Sequence, residues 1–342
     1  MEQADGTMTS WMRPIRTLVA AVALLACVIA LAAAVFAWIA IDKAKARQTE
    51  DRAASSPKGG EFAYADDASI FVQHAGKPDA PAVIFIHGTG SWSETWRASM
   101  NAVAKLGYHA VALDLPPFGY SIPPLTPDYS KPRQAARLLA ALDSLGIHRA
   151  VFVAHSFGAA PVMEALMAQS ERASALVLVD AALGLDSPQT NGSDNALQRL
   201  LRKAWLARPL SAAFLTNPDY TETLIKNFIT EKDKATPEWI RLYQQPLSLA
   251  GSHENIAAWL PELVSSRGIA RSDNPAEYAR LPYPVTLIWG ETDTITPLSQ
   301  ALHLQRRIPK ARLIRIPKAG HIPQIEEPAL FQSALETALG SP

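Results

Sequence analysis

The sequence predicts an α/β fold: a mainly parallel sheet flanked by helices, with a helical cap (lid) inserted between sheet strands. Three observations carry this expectation. Short apolar runs without polar alternation stand at 82–86, 110–113, 150–154, 175–179 and 285–289, as expected of strands covered on both faces, and a further run follows at 312–316. Amphipathic patterns at 94–106, 132–145, 159–170, 298–308 and 328–339 alternate with them, and regular strand–helix alternation belongs to parallel sheets. Between about 185 and 278 the alternation stops and helical patterns follow one another at 196–205, 218–228, 237–243 and 255–266. An insertion at that point lies over the carboxyl edge of the sheet, where loops form binding sites.

Taken in chain order, residues 1–16 form a polar tail, and residues 17–41 carry no charge. At about 1.5 Å per residue the uncharged run crosses a hydrocarbon core of roughly 30 Å. Arg13 and Arg16 flank it on one side and Asp42, Lys43, Lys45 and Arg47 on the other, with Trp11 and Trp38 near its ends. It exceeds the apolar stretch of a signal peptide, about 7–15 residues, and reads as an uncleaved single-pass membrane anchor. Residues 42–60 are polar and without apolar periodicity, and read as a flexible tether. Residues 61–342 then form the catalytic domain, opening with an antiparallel pair at 61–75 and carrying the cap at about 185–278.

Composition narrows the function. Lys plus Arg and Asp plus Glu both number 32, so no net positive charge is available to neutralise phosphates, and a nucleic-acid partner is not expected. Hydrophobic residues make up 48%, enough to offset the entropy of ordering. The single cysteine, Cys27, lies in the apolar span and allows neither an intrachain disulfide nor a cysteine zinc site. No metal cluster or phosphate loop is legible, and the chemistry described next needs no cofactor.

The ends of the apolar runs carry that chemistry. The run at 150–154 leads into Ala154-His155-Ser156-Phe157-Gly158 and then a helix. A serine on a tight strand-to-helix turn, with small residues two before and two after it, is placed as an exposed nucleophile. The run at 285–289 leads into a loop containing Asp293, and the run at 312–316 leads to His321. Ser156, Asp293 and His321 thus follow one another, each just after its own strand. His321 is placed to take the serine proton and Asp293 to hold the imidazole in the right tautomer. Glu291 and Asp180 are the rival acids. His87 and His155 read as packed, turn-fixing residues. Backbone N–H groups of Thr89, in the loop after 82–86, and of Phe157 are the expected oxyanion hole.

With these segments the chain resembles the capped α/β-hydrolases, a group that includes esterases, C–C bond hydrolases, epoxide hydrolases and haloalkane dehalogenases. The matching stretches are VIFIHGTGSWSETW, ALDLPPFGYS, VAHSFGAA, LIWGETDTITP and AGHIPQIEEP, which span nearly all of 61–342. Ala154 replaces the usual glycine of the elbow, and Pro117 stands where the group often has glycine. The resemblance implies the α/β-hydrolase fold. Epoxide hydrolases and dehalogenases resemble one another in an aspartate at the elbow, so Ser156 points instead to an acyl-enzyme. The lid's Trp205, Phe214, Phe228, Trp239 and Trp259 hint at an apolar pocket, and the expected partner is a small-molecule, apolar acyl substrate. The alternatives on the same residues are C–C bond hydrolysis, acyl transfer and haloperoxidase-like activity. A non-enzymatic, membrane-tethered binding protein is the alternative of another class.

Overall fold

The carboxyl ends of neighbouring parallel strands define the active edge of this protein. In the computed structural model, which describes residues 8–185, 194–264 and 270–340, eight strands form one sheet. They are β1 (Glu61–Ala65), β2 (Ala68–Ala75), β3 (Ala82–Ile86), β4 (His109–Leu113), β5 (Ala150–His155), β6 (Ala173–Val179), β7 (Val285–Gly290) and β8 (Arg312–Ile316). Their order is β1-β2-β4-β3-β5-β6-β7-β8. The pairs β1–β2 and β2–β4 are antiparallel, and every other pair is parallel. β3, β5, β6, β7 and β8 therefore deliver their following loops to one edge.

Neighbouring residues of the central strands face opposite layers. Ile84, Phe152 and Leu176 join one core, while Phe85, Val153 and Val177 join the other. This two-sided burial explains why the strand sequences show no polar alternation. Thirteen described helices surround the sheet. α1 (Met8–Arg47) and α2 (Arg52–Ser55) precede it; α3 (Arg97–Lys105), α4 (Lys131–Ser144) and α5 (Ala159–Ala168) connect its first strands. α11 (Leu298–Arg307), α12 (Pro323–Glu326) and α13 (Pro328–Leu339) follow β7 and β8. Between β6 and β7 the described residues form only helices and turns: α6 (Ala196–Leu201), α7 (Ala204–Leu210), α8 (Thr221–Phe228), α9 (Pro237–Gln244) and α10 (Ser252–Leu263). We call this insertion the cap. Parts of the expected 255–266 helix and of the cap's first residues lie outside the described residues.

The segment 42–60, expected as a flexible tether, is different in the structure. α1 continues past the apolar run to Arg47 and lays Ala40 and Ala44 against Ala212 of the cap, where Arg47 Nη2 donates to the Ala212 carbonyl at 3.2 Å. Gln48 Oε1 accepts from the backbone N–H of His253 at 3.1 Å and stands 2.7 Å from its Nδ1. Glu50 bridges Leu249. Arg52, 8% exposed, donates to the carbonyls of Gly119 (2.9 Å) and Ser121 (3.4 Å) and to Ser252 Oγ (3.2 Å). Polar composition suggested solvation, but Gln48 Oε1 and the Arg52 guanidinium instead find partners about 65–205 residues away in sequence.

One consequence is measurable. Arg52→Ala leaves two carbonyls and a hydroxyl without their charged donor, and is expected to lower stability by about 2 kcal/mol. Urea unfolding of the full chain in detergent micelles checks this; a solvated tether would show no change.

Candidate active site

Ser156 begins a short 3-10 turn between β5 and α5, with a backbone φ of 50°. A non-glycine residue in the left-handed region is strained, and here the strain lifts the hydroxyl off the sheet edge. Space around the turn is minimal. A Cβ on Gly158 would stand 2.5 Å from the His87 carbonyl oxygen and 2.7 Å from Ile86 Cγ2, and one on Gly88 would stand 3.0 Å from Ser156 Cβ. Ala154, in the other small position, is fully buried, and its methyl is accommodated.

The structure brings Ser156, His321 and Asp293 together. His321 Nε2 lies 2.8 Å from Ser156 Oγ, and His321 Nδ1 lies 2.8 Å from Asp293 Oδ2. Asp293 Oδ1 accepts from the backbone N–H groups of Ile295 (2.7 Å) and Thr296 (3.0 Å), and the Thr296 hydroxyl donates to Oδ2 at 2.6 Å. Burial pushes the Asp293 carboxyl upward, but its hydrogen bond and charge interaction with His321, aided by Thr296, outweigh this and hold it below the usual carboxylate range. The rival acids differ in setting. Glu291 is exposed. Asp180 is fully buried after β6 and accepts from the Gly290 N–H at 2.9 Å. Burial, followed by the neighbouring Asp293 carboxylate, raises its pKa well above the ordinary value. Ligand atoms of Asp180, Asp293 and His321 lie within 4.8 Å of one another, a set with metal-ligand chemistry. Both Asp293 oxygens and both His321 ring nitrogens are already engaged in the bonds just described.

His87 and His155 are structural in this geometry. The Leu115 N–H donates to His87 Nε2 at 2.9 Å and His87 Nδ1 donates to the Gly88 carbonyl at 2.8 Å, which fixes a neutral tautomer. Burial pushes its pKa down to about 4. His155 Nε2 donates to the His321 carbonyl at 2.8 Å, and burial, then the nearby His321, lowers its pKa to about 3. Thr89 and Phe157, the expected oxyanion donors, both line a cavity of about 330 Å³ whose floor carries Ser156 and His321. Phe157, Leu183, Leu215, Phe228 and Trp259 make its wall largely apolar.

The contacts of two site residues escaped sequence reading. Phe228, at the end of α8, stacks on His321 with ring centroids 5.4 Å apart, and its carbonyl accepts the His321 N–H at 2.9 Å. Glu326, fully buried, accepts from the N–H groups of Gly320 (2.8 Å) and Thr230 (2.6 Å), tying the histidine loop to the cap. Neither sits in a spacing that marks such a role; only the tertiary fold brings the cap's residue 228 beside residue 321.

This arrangement agrees with comparisons to known proteins. Residues 81–328 match the family described as "alpha/beta hydrolase fold". The chain belongs to this family. A 2-hydroxymuconate semialdehyde hydrolase of Pseudomonas sp. (strain CF600) is 29% identical over 257 residues, covering 73% of this chain and 84% of the relative. Among solved structures, 2-hydroxy-6-oxo-6-phenylhexa-2,4-dienoate hydrolase from Rhodococcus sp. strain RHA1 superposes with a TM-score of 0.66 at 22% identity, covering 82% of this chain and 98% of that one. A membrane phospholipase A, titled a bacterial virulence factor, has a TM-score of 0.66 at 21% identity and covers 96% of this chain and 98% of its own. These structural likenesses establish the fold, an eight-stranded, mostly parallel sheet flanked by helices.

The two buried acids are separable by mutation. Asp293→Asn is expected to lower kcat by up to about 10⁴-fold, because the amide cannot hold the imidazole's donor tautomer. Asp180→Asn keeps an acceptor for the Gly290 N–H and leaves the Asp293–His321 bond in place, and is expected to leave kcat within about threefold of the parent. Steady-state kinetics on one ester checks both; a reversed order would move the acid to β6.

Proposed function

We propose that this α/β-hydrolase is a membrane-anchored serine hydrolase that cleaves a carboxylic ester or related acyl bond of an apolar substrate. The observation that carries the proposal is the continuous pair of 2.8 Å contacts from Ser156 Oγ through His321 to Asp293, at the floor of an apolar cavity. In this reading His321 Nε2 takes the Ser156 proton as Oγ attacks the substrate carbonyl, and Asp293 stabilises the imidazolium that forms. The tetrahedral oxyanion accepts from the Thr89 and Phe157 N–H groups. His321 then gives its proton to the departing alcohol, leaving Ser156 acylated. Water attacks the acyl-enzyme, His321 takes the water's proton, and collapse returns that proton to Ser156 and releases the acid.

Anchoring rests on α1. Within Thr17–Arg47 an 18-residue window has a mean hydropathy of 3.0, and residues 17–36 are all exposed. The second reading is C–C bond hydrolysis, favoured by the relative named as a 2-hydroxymuconate semialdehyde hydrolase. It uses the same serine, histidine and acid.

Ser156→Ala removes a hydroxyl and adds nothing, so the fold persists. Turnover is expected to fall by about 10⁶-fold, and fluorophosphonate labelling to disappear. Labelling of the full chain with circular dichroism as the folding control checks this. Retained turnover of either esters or vinylogous diketones by Ser156→Ala would place the nucleophile elsewhere, while turnover of the diketones but not of esters by the parent chain would select the C–C reading.

A further inference from the structure

The α1–cap junction fixes where the cavity opens. Residues 17–36 are exposed along their whole length, and at about 1.5 Å per residue they reach about 30 Å, one hydrocarbon core. Packing begins immediately beyond: Ala40, Ala44 and Gln48 are buried against the cap, a stripe at fourfold helical spacing. The point where α1 meets the cap is therefore also the point where it leaves the hydrocarbon. Trp38, 68% exposed, marks that level, and Lys43, Lys45 and Arg47 follow at headgroup height.

At that same level the cap presents apolar side chains. Phe214 lies beside Phe36 of α1, with ring centroids 6.5 Å apart, and Tyr220 lies 5.4 Å from Phe214 on its other side. Both are more than two-fifths exposed, and Trp205, on the α7 helix that packs against α1, is 71% exposed. Phe214 and Tyr220 line the rim of a chamber of about 200 Å³. Ser91, Leu215, Leu224 and Tyr243 line both this chamber and the one that holds Ser156, so the two share a wall. The side chain beside α1 and the nucleophile thus stand on neighbouring, mainly apolar chambers.

We propose that the catalytic cavity is loaded from the bilayer through a mouth at Phe214 and Tyr220, and that the substrate class is a membrane-resident ester with a long acyl chain. This rests on the serine-hydrolase and anchor readings above. The docked segment from Ala40 to Arg52 makes the arrangement rigid, because it ties the anchor to the cap at Ala212 and to the Gly119 loop at the chamber rim. An ester lying in the interface reaches the mouth without crossing water, and its chain stays in apolar surroundings until the carbonyl meets Ser156. A water-soluble short ester gains nothing from this placement.

The test compares 4-nitrophenyl palmitate held in phosphatidylcholine–phosphatidylglycerol vesicles with 4-nitrophenyl butyrate in water, using the full chain reconstituted in those vesicles. The two share one leaving group and one chemical step. A flexible Gly/Ser linker of about 12 residues inserted between Val35 and Phe36 keeps the tether but gives it a reach of about 20 Å, releasing the mouth from the interface. The insertion is expected to leave butyrate hydrolysis unchanged and to lower palmitate hydrolysis about tenfold through the lost effective concentration. Phe214→Glu, which puts a charge on the rim, is expected to lower the palmitate-to-butyrate ratio by at least about tenfold, and Phe214→Leu to retain it. Vesicle flotation and butyrate turnover separate the possible failures. A chain that does not float overturns the anchor reading and this proposal with it. A floating chain inactive on both esters overturns the hydrolase reading. A floating, active chain whose ratio neither change moves overturns the bilayer mouth alone. A palmitate turnover per enzyme molecule that changes with protein concentration at fixed lipid would place a second copy over the mouth and overturn it too.

Discussion

The strained turn at Ser156 sets the terms for the rest of the structure. A left-handed φ on a serine persists only where surrounding contacts over-determine it, and here they come from both neighbouring loops. Gly158 lets the turn sit on the His87 carbonyl, Gly88 clears the serine Cβ, and His87 pins the preceding loop by accepting from Leu115 and donating to Gly88. Because β3, β5 and β6 run parallel and in register, these loops meet at one edge. The same register along β6, β7 and β8 carries Asp293 and His321 to that edge from the other side. Close approach is demanded there as well: a Cβ on Gly290 would stand 1.9 Å from the Gly320 carbonyl oxygen.

The cap completes this edge as well as covering it. Phe228 lies flat on the imidazole of His321, and its carbonyl holds the His321 N–H. Glu326 accepts N–H groups from both the histidine loop and the cap, so a shift of α8 would be felt at His321. Substrate shape and the position of the base are therefore linked through α8. On its far side the cap receives α1 and the segment that follows it, which makes it a junction between α1 and the sheet edge that carries Ser156.

How much of this was legible in sequence depended on the range of the interactions. The strands were legible because two-sided burial leaves unbroken apolar runs, as in AVIFI and AVFVA. Ser156, Asp293 and His321 were legible because each follows its own strand closely, so local pattern and chain order suffice. Asp293 was preferred over Glu291 and Asp180 on its place in the loop after β7, and the structure sets its Oδ2 2.8 Å from His321 Nδ1. The contacts of Phe228 and Glu326 with the histidine loop gave no signal, because the partners come from other elements. The segment after the anchor misled for the same reason. Its charged residues look solvated, yet Arg52 finds acceptors at Gly119, Ser121 and Ser252 that only the folded chain supplies. Helix α1 likewise runs on to Arg47 because its small residues find Ala212.

The central claim is that Ser156 carries the acyl group during turnover, with its hydroxyl activated through His321. Acid-quenching the enzyme during turnover of an activated ester, followed by proteolysis and peptide mass analysis, reads this directly. The account predicts a single acyl adduct on the peptide containing Ser156, with fragmentation placing the added mass on that residue. An adduct on any other side chain under the same conditions would contradict it.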